Sequence, residues 1–219
     1  MRKLSEEEII DLFKKNNAYW VHSGNPEDPH VELTNGYCSN GYFNCSSILR
    51  FPMINELLAE CICSKLINAG IEDNYPEWVV GSSYAAITIS YEVARKLGTE
   101  YAFAEKSDTP KEFTFKRWTI PEGAIVLQIE ELITTLQTVT AVREAIEKHN
   151  KYRVEFLPMI GTIIFRPSSF SNKYFIGKQE IDIISLFQKE VWAVAKKDCP
   201  LCNSGSIRYR PKHNWSLLK

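Results

Sequence analysis

The chain has 219 residues, 44% of them apolar and 24% charged, and a formal net charge of −1. That size and apolar content suffice for one domain with a full core, and the near-neutral charge argues against an electrostatic nucleic-acid binder. No apolar run reaches the roughly 20 residues of a bilayer-spanning helix, and the acidic, amphipathic start MRKLSEEEIIDLF is unlike a secretory signal, so a cytoplasmic protein without membrane or nucleic-acid partners is expected.

Ser5-Glu-Glu-Glu8 fits a capping box that opens a helix running to about Asn16. The polar segment from His22 to Pro29 reads as loop. His30–Leu33 and Gly41–Cys45 read as short strands around a tight turn at Thr34-Asn35-Gly36. Pro52 opens a helix that Gly70 punctuates. Trp78–Val80 is a strand, Ala85–Leu97 a helix ended by Gly98, and Glu100–Ala104 a strand. Residues 105–122 are charged, carry two prolines, and read as a mobile loop or a long β-ribbon. Val154–Phe165 gives one or two strands interrupted by Pro158 and Gly161, followed by a loop over Arg166–Asn172. Ile181–Leu186 and Val191–Ala195 are late strands, and the tail from Cys199 reads as loop. Strands alternating with helices over 52–157 predict an α/β fold with a central parallel sheet. Residues 52–165 form the core of a single domain, and 1–50 with about 180–219 form a small hood.

The stretch IVLQIEELITTLQTVTAVREAIEKH, residues 125–149, organises the rest. A buried strand runs into Glu130 and Glu131, then a turn Thr134-Thr135-Leu136-Gln137-Thr138, then a helix with apolar residues at helical spacing. A helix N-terminus and the turn's N–H groups favour a phosphate, threonine hydroxyls add donors, and carboxylates at a strand end suit sugar hydroxyls or a Mg²⁺ ion. The residues therefore read as a site for a phosphorylated ribose. The bland readings are a solvated acid pair and a helix cap.

VLQIEELITTLQT resembles the phosphoribosyl-diphosphate signature of the type I phosphoribosyltransferases. VVGSSYAAITISYEVARKLG resembles their pyrophosphate loop and helix, FAEK their basic diphosphate stretch, and KRWTIPEG the end of their flexible catalytic loop. ELTNGYCSNGYFN, Arg166 and CPLCNSG are similar to features of the orotate branch. The resemblance covers roughly residues 30–212.

It implies an orotate-type glycosyltransferase of nucleotide metabolism, active in pyrimidine biosynthesis. Such an enzyme moves ribose 5-phosphate from phosphoribosyl diphosphate to a nucleobase, with Mg²⁺ carried on the diphosphate. Homodimers in which one subunit's loop completes the other's site are also implied. By position, Glu130 and Glu131 would hold the ribose hydroxyls, and Thr134, Thr135, Leu136, Gln137 and Thr138 would form the phosphate turn. Gly81, Ser82, Ser83 and Tyr84, with Lys106 and one of Lys111 or Lys116, would attend the diphosphate. Arg166 would grip a carboxylate on the base. The bland reading of the lysines is a solvated loop, and of Arg166 a surface ion pair.

Three departures support a second reading, a catalytically impaired relative that binds a nucleotide or phosphoribosyl diphosphate in a regulatory or interaction role. Glu131 replaces an Asp, Leu136 and Gln137 replace two glycines, and Ala85 and Ala86 replace glycines of the pyrophosphate loop. A Leu136 side chain would stand in the phosphate's space. Cys199-x-x-Cys202 invites zinc, but a tetrahedral site wants four ligands and there is no second such pair. His213 is a candidate third ligand, and the four histidines form no ligand spacing. Structural packing is the preferred reading, and no metal ligand is assigned.

Overall fold

The structure is a computed structural model and describes residues 4–33 and 36–218, with the backbone alone at Asp73, Asn74, Lys212, His213 and Trp215. The expected turn residues Thr34 and Asn35 and the side chain of His213 lie outside the described residues. Ser5 caps helix α1 (Glu6–Lys15) with the expected reciprocal bonds to Glu8. Strands β1 (Tyr19–Val21), β2 (His30–Glu32), β3 (Cys38–Ser39) and β4 (Gly41–Phe43) follow, then α2 (Cys45–Leu49) and α3 (Pro52–Asn68). The alternating part comprises β5 (Trp78–Ser82), α4 (Ala86–Leu97), β6 (Glu100–Lys106), β7 (Phe113–Thr114), β8 (Ile125–Ile133), α5 (Gln137–His149) and β9 (Glu155–Phe165). The chain ends through β10 (Tyr174–Ile176), β11 (Gln179–Gln188), β12 (Ala193–Val194), α6 (Pro200–Asn203), β13 (Arg208–Tyr209) and α7 (Pro211–Asn214).

The central sheet has seven strands in the order β10-β11-β9-β8-β5-β6-β7. The five inner strands are parallel and both edges are antiparallel. Along β8, side chains alternate between faces. Leu127 and Ile129 join Leu58, Ile62, Leu66, Ile89 and Val93 of α3 and α4 in one cluster, whereas Val126 packs with Val142 and Ile146 of α5. A four-stranded sheet, β12-β3-β2-β13, and the β1-β4 pair make the hood.

The structure corrects several expectations. β8 continues through Glu130 and Glu131 to Ile133, so the acids sit within the strand. β9 is a single strand: its register against β8 shifts between Val126 and Gln128, which absorbs Pro158. Gly161 is a packing requirement rather than a break, since a Cβ there would lie 2.5 Å from Ile129 Cδ1. β11 pairs with β9 in the central sheet, so the C-terminal hood strands are 193–194 and 208–209 rather than everything after about 180. The 105–122 segment is a short ribbon, with Lys106 opposite Phe113. Beyond it Phe115 and Ile120 are fully buried, and Asn150 bonds both the N–H and the carbonyl of Ile120 at 2.9 Å. The tail is not loop but short helices and a strand. No helix among the described residues is long and apolar enough to cross a membrane.

Candidate active site

The C-terminal ends of parallel strands are where open α/β sheets place ligands, and the residues of interest gather there. Glu130 is 3% exposed and accepts a hydrogen bond from Ser82 Oγ at 2.7 Å. Burial pushes its carboxyl well above the ordinary carboxylate range; the neighbouring Glu131 charge adds to this, and the Ser82 bond opposes it. Burial also raises Glu131, against a backbone hydrogen bond and the nearby Lys106 charge.

After β8, Thr134 and Thr135 lead into α5, whose N-cap is Leu136 with no side-chain cap bond. Beyond Gln137, the first N–H groups of α5 meet no capping side chain among the described residues. Thr135 Oγ1 accepts from Gln137 N–H at 3.4 Å. Leu136 has φ −79°, which needs no glycine. Its side chain packs against the Ile133–Val139–Ile160 cluster.

Opposite the turn, β6 ends at Lys106, whose N–H donates to Ser83 Oγ at 2.9 Å and whose Nζ lies 5.2 Å from the centre of the Tyr84 ring. Tyr84 is 73% exposed, and the Ser83–Tyr84 peptide is cis. A cavity of about 440 Å³ lies between the ribbon and α5, lined by Lys106, Lys111, Phe113, Gln137 and Thr138 among others. Lys116 is exposed and is not part of that lining. Gly81 meets a packing requirement, since a Cβ there would lie 2.1 Å from Ser90 Oγ of α4.

Arg166 follows β9 and donates its backbone N–H to Ile133 O at 2.8 Å. Its side-chain Nε is buried without a hydrogen-bond partner among the described residues. Burial lowers its pKa below the ordinary arginine value, while Cys45 and Tyr42 of the hood side pull it back up. The surface ion-pair reading of Arg166 therefore fails.

Sequence reasoning missed the support beneath this site. Arg143 of α5 is buried and bonds Gln128 Oε1 of β8 at 2.5 Å, Gln179 Oε1 at 2.6 Å and Leu157 O at 3.2 Å. Gln128 in turn donates to Val139 O at 3.1 Å, which fixes α5 on the sheet. The signal was available: a glutamine inside an otherwise apolar strand needs a buried partner. A second side-chain group, His30, Cys38, Cys199 and Cys202, gathers in the hood.

A seven-stranded, largely parallel sheet with an acid pair, a threonine turn and a helix N-terminus at its edge defines the type I phosphoribosyltransferase class of fold. No protein-family model matches the chain, but individual relatives do. It is 31% identical over 209 residues to an orotate phosphoribosyltransferase of Pelotomaculum thermopropionicum, covering 95% of this chain and 97% of that one. It is likewise 31% identical over 208 residues to one of Caldicellulosiruptor bescii, with the same coverage. Among solved structures, the orotate phosphoribosyltransferase of Mycobacterium tuberculosis superposes with TM-score 0.55 at 17% identity, over 84% of this chain and 95% of that one. That of Aeropyrum pernix superposes with TM-score 0.52 at 15% identity, over 82% and 93%. The chain belongs to the orotate phosphoribosyltransferase family.

Proposed function

We propose that the protein transfers ribose 5-phosphate from phosphoribosyl diphosphate to a pyrimidine base that carries a carboxylate, releasing pyrophosphate. The observation that carries this is the meeting of the Glu130–Glu131 pair, the uncapped start of α5 and Lys106 at one end of the sheet. The full-length relatives support it. In the reaction the bond from C1′ to the diphosphate oxygen breaks, with its electron pair leaving on oxygen, and a base nitrogen donates the pair that forms the new bond. The chain's task is positioning and charge stabilisation. The first N–H groups of α5 and the Thr134, Thr135 and Thr138 hydroxyls hold the 5-phosphate. Glu131 accepts from ribose hydroxyls, and Glu130, held by Ser82, sets its position and charge. Lys106 meets the departing diphosphate, and Arg166, whose Nε has no partner among the described residues, donates to the base carboxylate.

Hard oxygen donors suit Mg²⁺, and the acid pair at the end of β8 would offer such donors. Carried on the substrate's diphosphate, Mg²⁺ would neutralise charge that develops there. A homodimer in the cytoplasm completes the proposal, with the 107–112 tip reaching a neighbouring subunit. Purified protein given phosphoribosyl diphosphate, Mg²⁺ and orotate should release pyrophosphate, whereas uracil and purines should not support release. No release with any base would sink the enzymatic reading.

A second reading is a binding protein that has lost catalysis, and it draws on the burial of Glu130. Calorimetry that finds binding of phosphoribosyl diphosphate without turnover would select it.

A further inference from the structure

In the hood, four side chains from three elements converge. His30 lies on β2, Cys38 on β3, and Cys199 and Cys202 flank the start and body of α6. Their ligand atoms all lie within 4.8 Å of one another. His30 Nε2 is 3.6 Å from Cys199 Sγ and 3.4 Å from Cys202 Sγ, and Cys38 Sγ is 3.5 Å from Cys202 Sγ. With Zn–S near 2.3 Å and Zn–N near 2.0 Å, the edges of a tetrahedral site are about 3.5–3.8 Å. These three separations, 3.4–3.6 Å, lie close to those edges. All the cysteines are free thiols, and 3.5 Å is far beyond the roughly 2.0 Å of a disulfide.

The surroundings are built for a ligand set. Ser206 Oγ donates to the carbonyl of Asp28 at 2.6 Å, so its single hydrogen is used. It must therefore accept from His30 Nδ1, 2.8 Å away. That bond fixes the tautomer and leaves the Nε2 lone pair facing the sulfurs, the usual outer-shell arrangement of a metal-bound histidine. Cys202 N–H donates to Cys199 Sγ at 3.4 Å, and Arg208 Nη1 approaches Cys38 Sγ at 3.9 Å. The guanidinium offsets the surplus negative charge that three thiolates leave on a divalent ion. His30, Cys38 and Cys199 are fully buried.

We propose that His30, Cys38, Cys199 and Cys202 form a structural Zn²⁺ site. Three thiolates and one imidazole in a tetrahedron select zinc over hard cations, and four protein ligands leave no open position, which marks a structural role. The ion joins positions 169 apart in the chain and locks the C-terminal segment onto the N-terminal strands. None of its four residues is among those placed at the catalytic cleft, and the site does not depend on the proposed activity.

The test is elemental analysis of tag-free protein purified without chelator, together with Co²⁺ titration of the zinc-stripped, reduced wild type. Expected are about one Zn²⁺ per chain and, with cobalt, the intense ligand-field and sulfur charge-transfer bands of a tetrahedral thiolate site. Cys38→Ser should lower bound zinc by roughly tenfold or more, Ser206→Ala should weaken it by roughly 10- to 100-fold, and Cys61→Ala, outside the cluster, should leave it unchanged. If a serine variant fails to fold, the cobalt spectrum of the wild type decides alone. The proposal is overturned by wild type that takes up neither metal after reduction, by stoichiometric iron in place of zinc, or by zinc that persists when Cys38 and Cys202 are both replaced.

Discussion

Ser82 Oγ holds Glu130 Oε2 at 2.7 Å, joining the ends of two adjacent parallel strands through a buried carboxylate. The carboxyl is raised well above its ordinary value by burial and by Glu131. A group that binds its proton more tightly when folded contributes stability that is full below its unfolded pKa, near 4.5. That contribution is lost as pH rises from there through the raised folded value. The ligand-free protein should therefore lose stability with rising pH across that window. Glu130→Gln should flatten the slope, as measured by urea midpoints over a pH series. Ser82→Ala should cost about 1–3 kcal/mol by stranding the acid.

Leu136→Gly should not improve the site. Leu136 packs on the Ile133–Val139 cluster at an ordinary φ. The change forfeits that burial and adds backbone entropy to the unfolded chain, roughly 1–3 kcal/mol in all. Thermal unfolding would register the loss, and the KM for phosphoribosyl diphosphate should not fall.

The two lysines should separate. Lys106→Ala should reduce kcat/KM by roughly 100-fold or more, the scale for removing one charge-stabilising group. Lys116→Ala, exposed and outside the cavity lining, should change it by less than about threefold. Equal effects at both positions would show that the 107–116 segment adopts another arrangement during turnover.

Arg166→Met removes a buried cation whose Nε has no partner among the described residues. Burial already disfavours the charge, so the ligand-free protein should be no less stable than wild type. Affinity for orotate should fall by roughly 2–5 kcal/mol, while affinity for phosphoribosyl diphosphate holds. Parallel loss of both ligands in calorimetry would remove Arg166 from base recognition.

What could be read in advance follows physical lines. Pro52, Gly70 and Gly98 punctuate the long helices α3 and α4, so both were legible to within two residues. β10 and β13 have two or three residues each, too short for any period to emerge. The 105–122 segment has the charge and prolines of a loop, yet Phe115 and Ile120 reach the core beneath α5, and only tertiary structure shows which apolar residues of a polar stretch are anchors. At the site, the acid pair and threonine turn were visible because they are contiguous. The roles of Ser82, Gln128 and Arg143 were not, since their partners come from other elements. The same holds for Cys199 and Cys202: the partners that complete their set precede them by more than 160 positions.

The parallel pairing of Arg208 with His30 and the antiparallel pairing of Ala193 with Ser39 have a consequence for synthesis. The ribosome delivers β2 and β3 well before the strands that flank them, which lie far downstream in the chain. The five inner strands can assemble once residue 188 has emerged, but through that interval β2 and β3 keep both outer edges unpaired, the condition under which nascent strands recruit other chains. Closing so long a loop is slow compared with local pairing. The N-terminal edge is thus the part of the nascent protein most in need of a chaperone, and the part that a premature stop before residue 193 would leave permanently sticky.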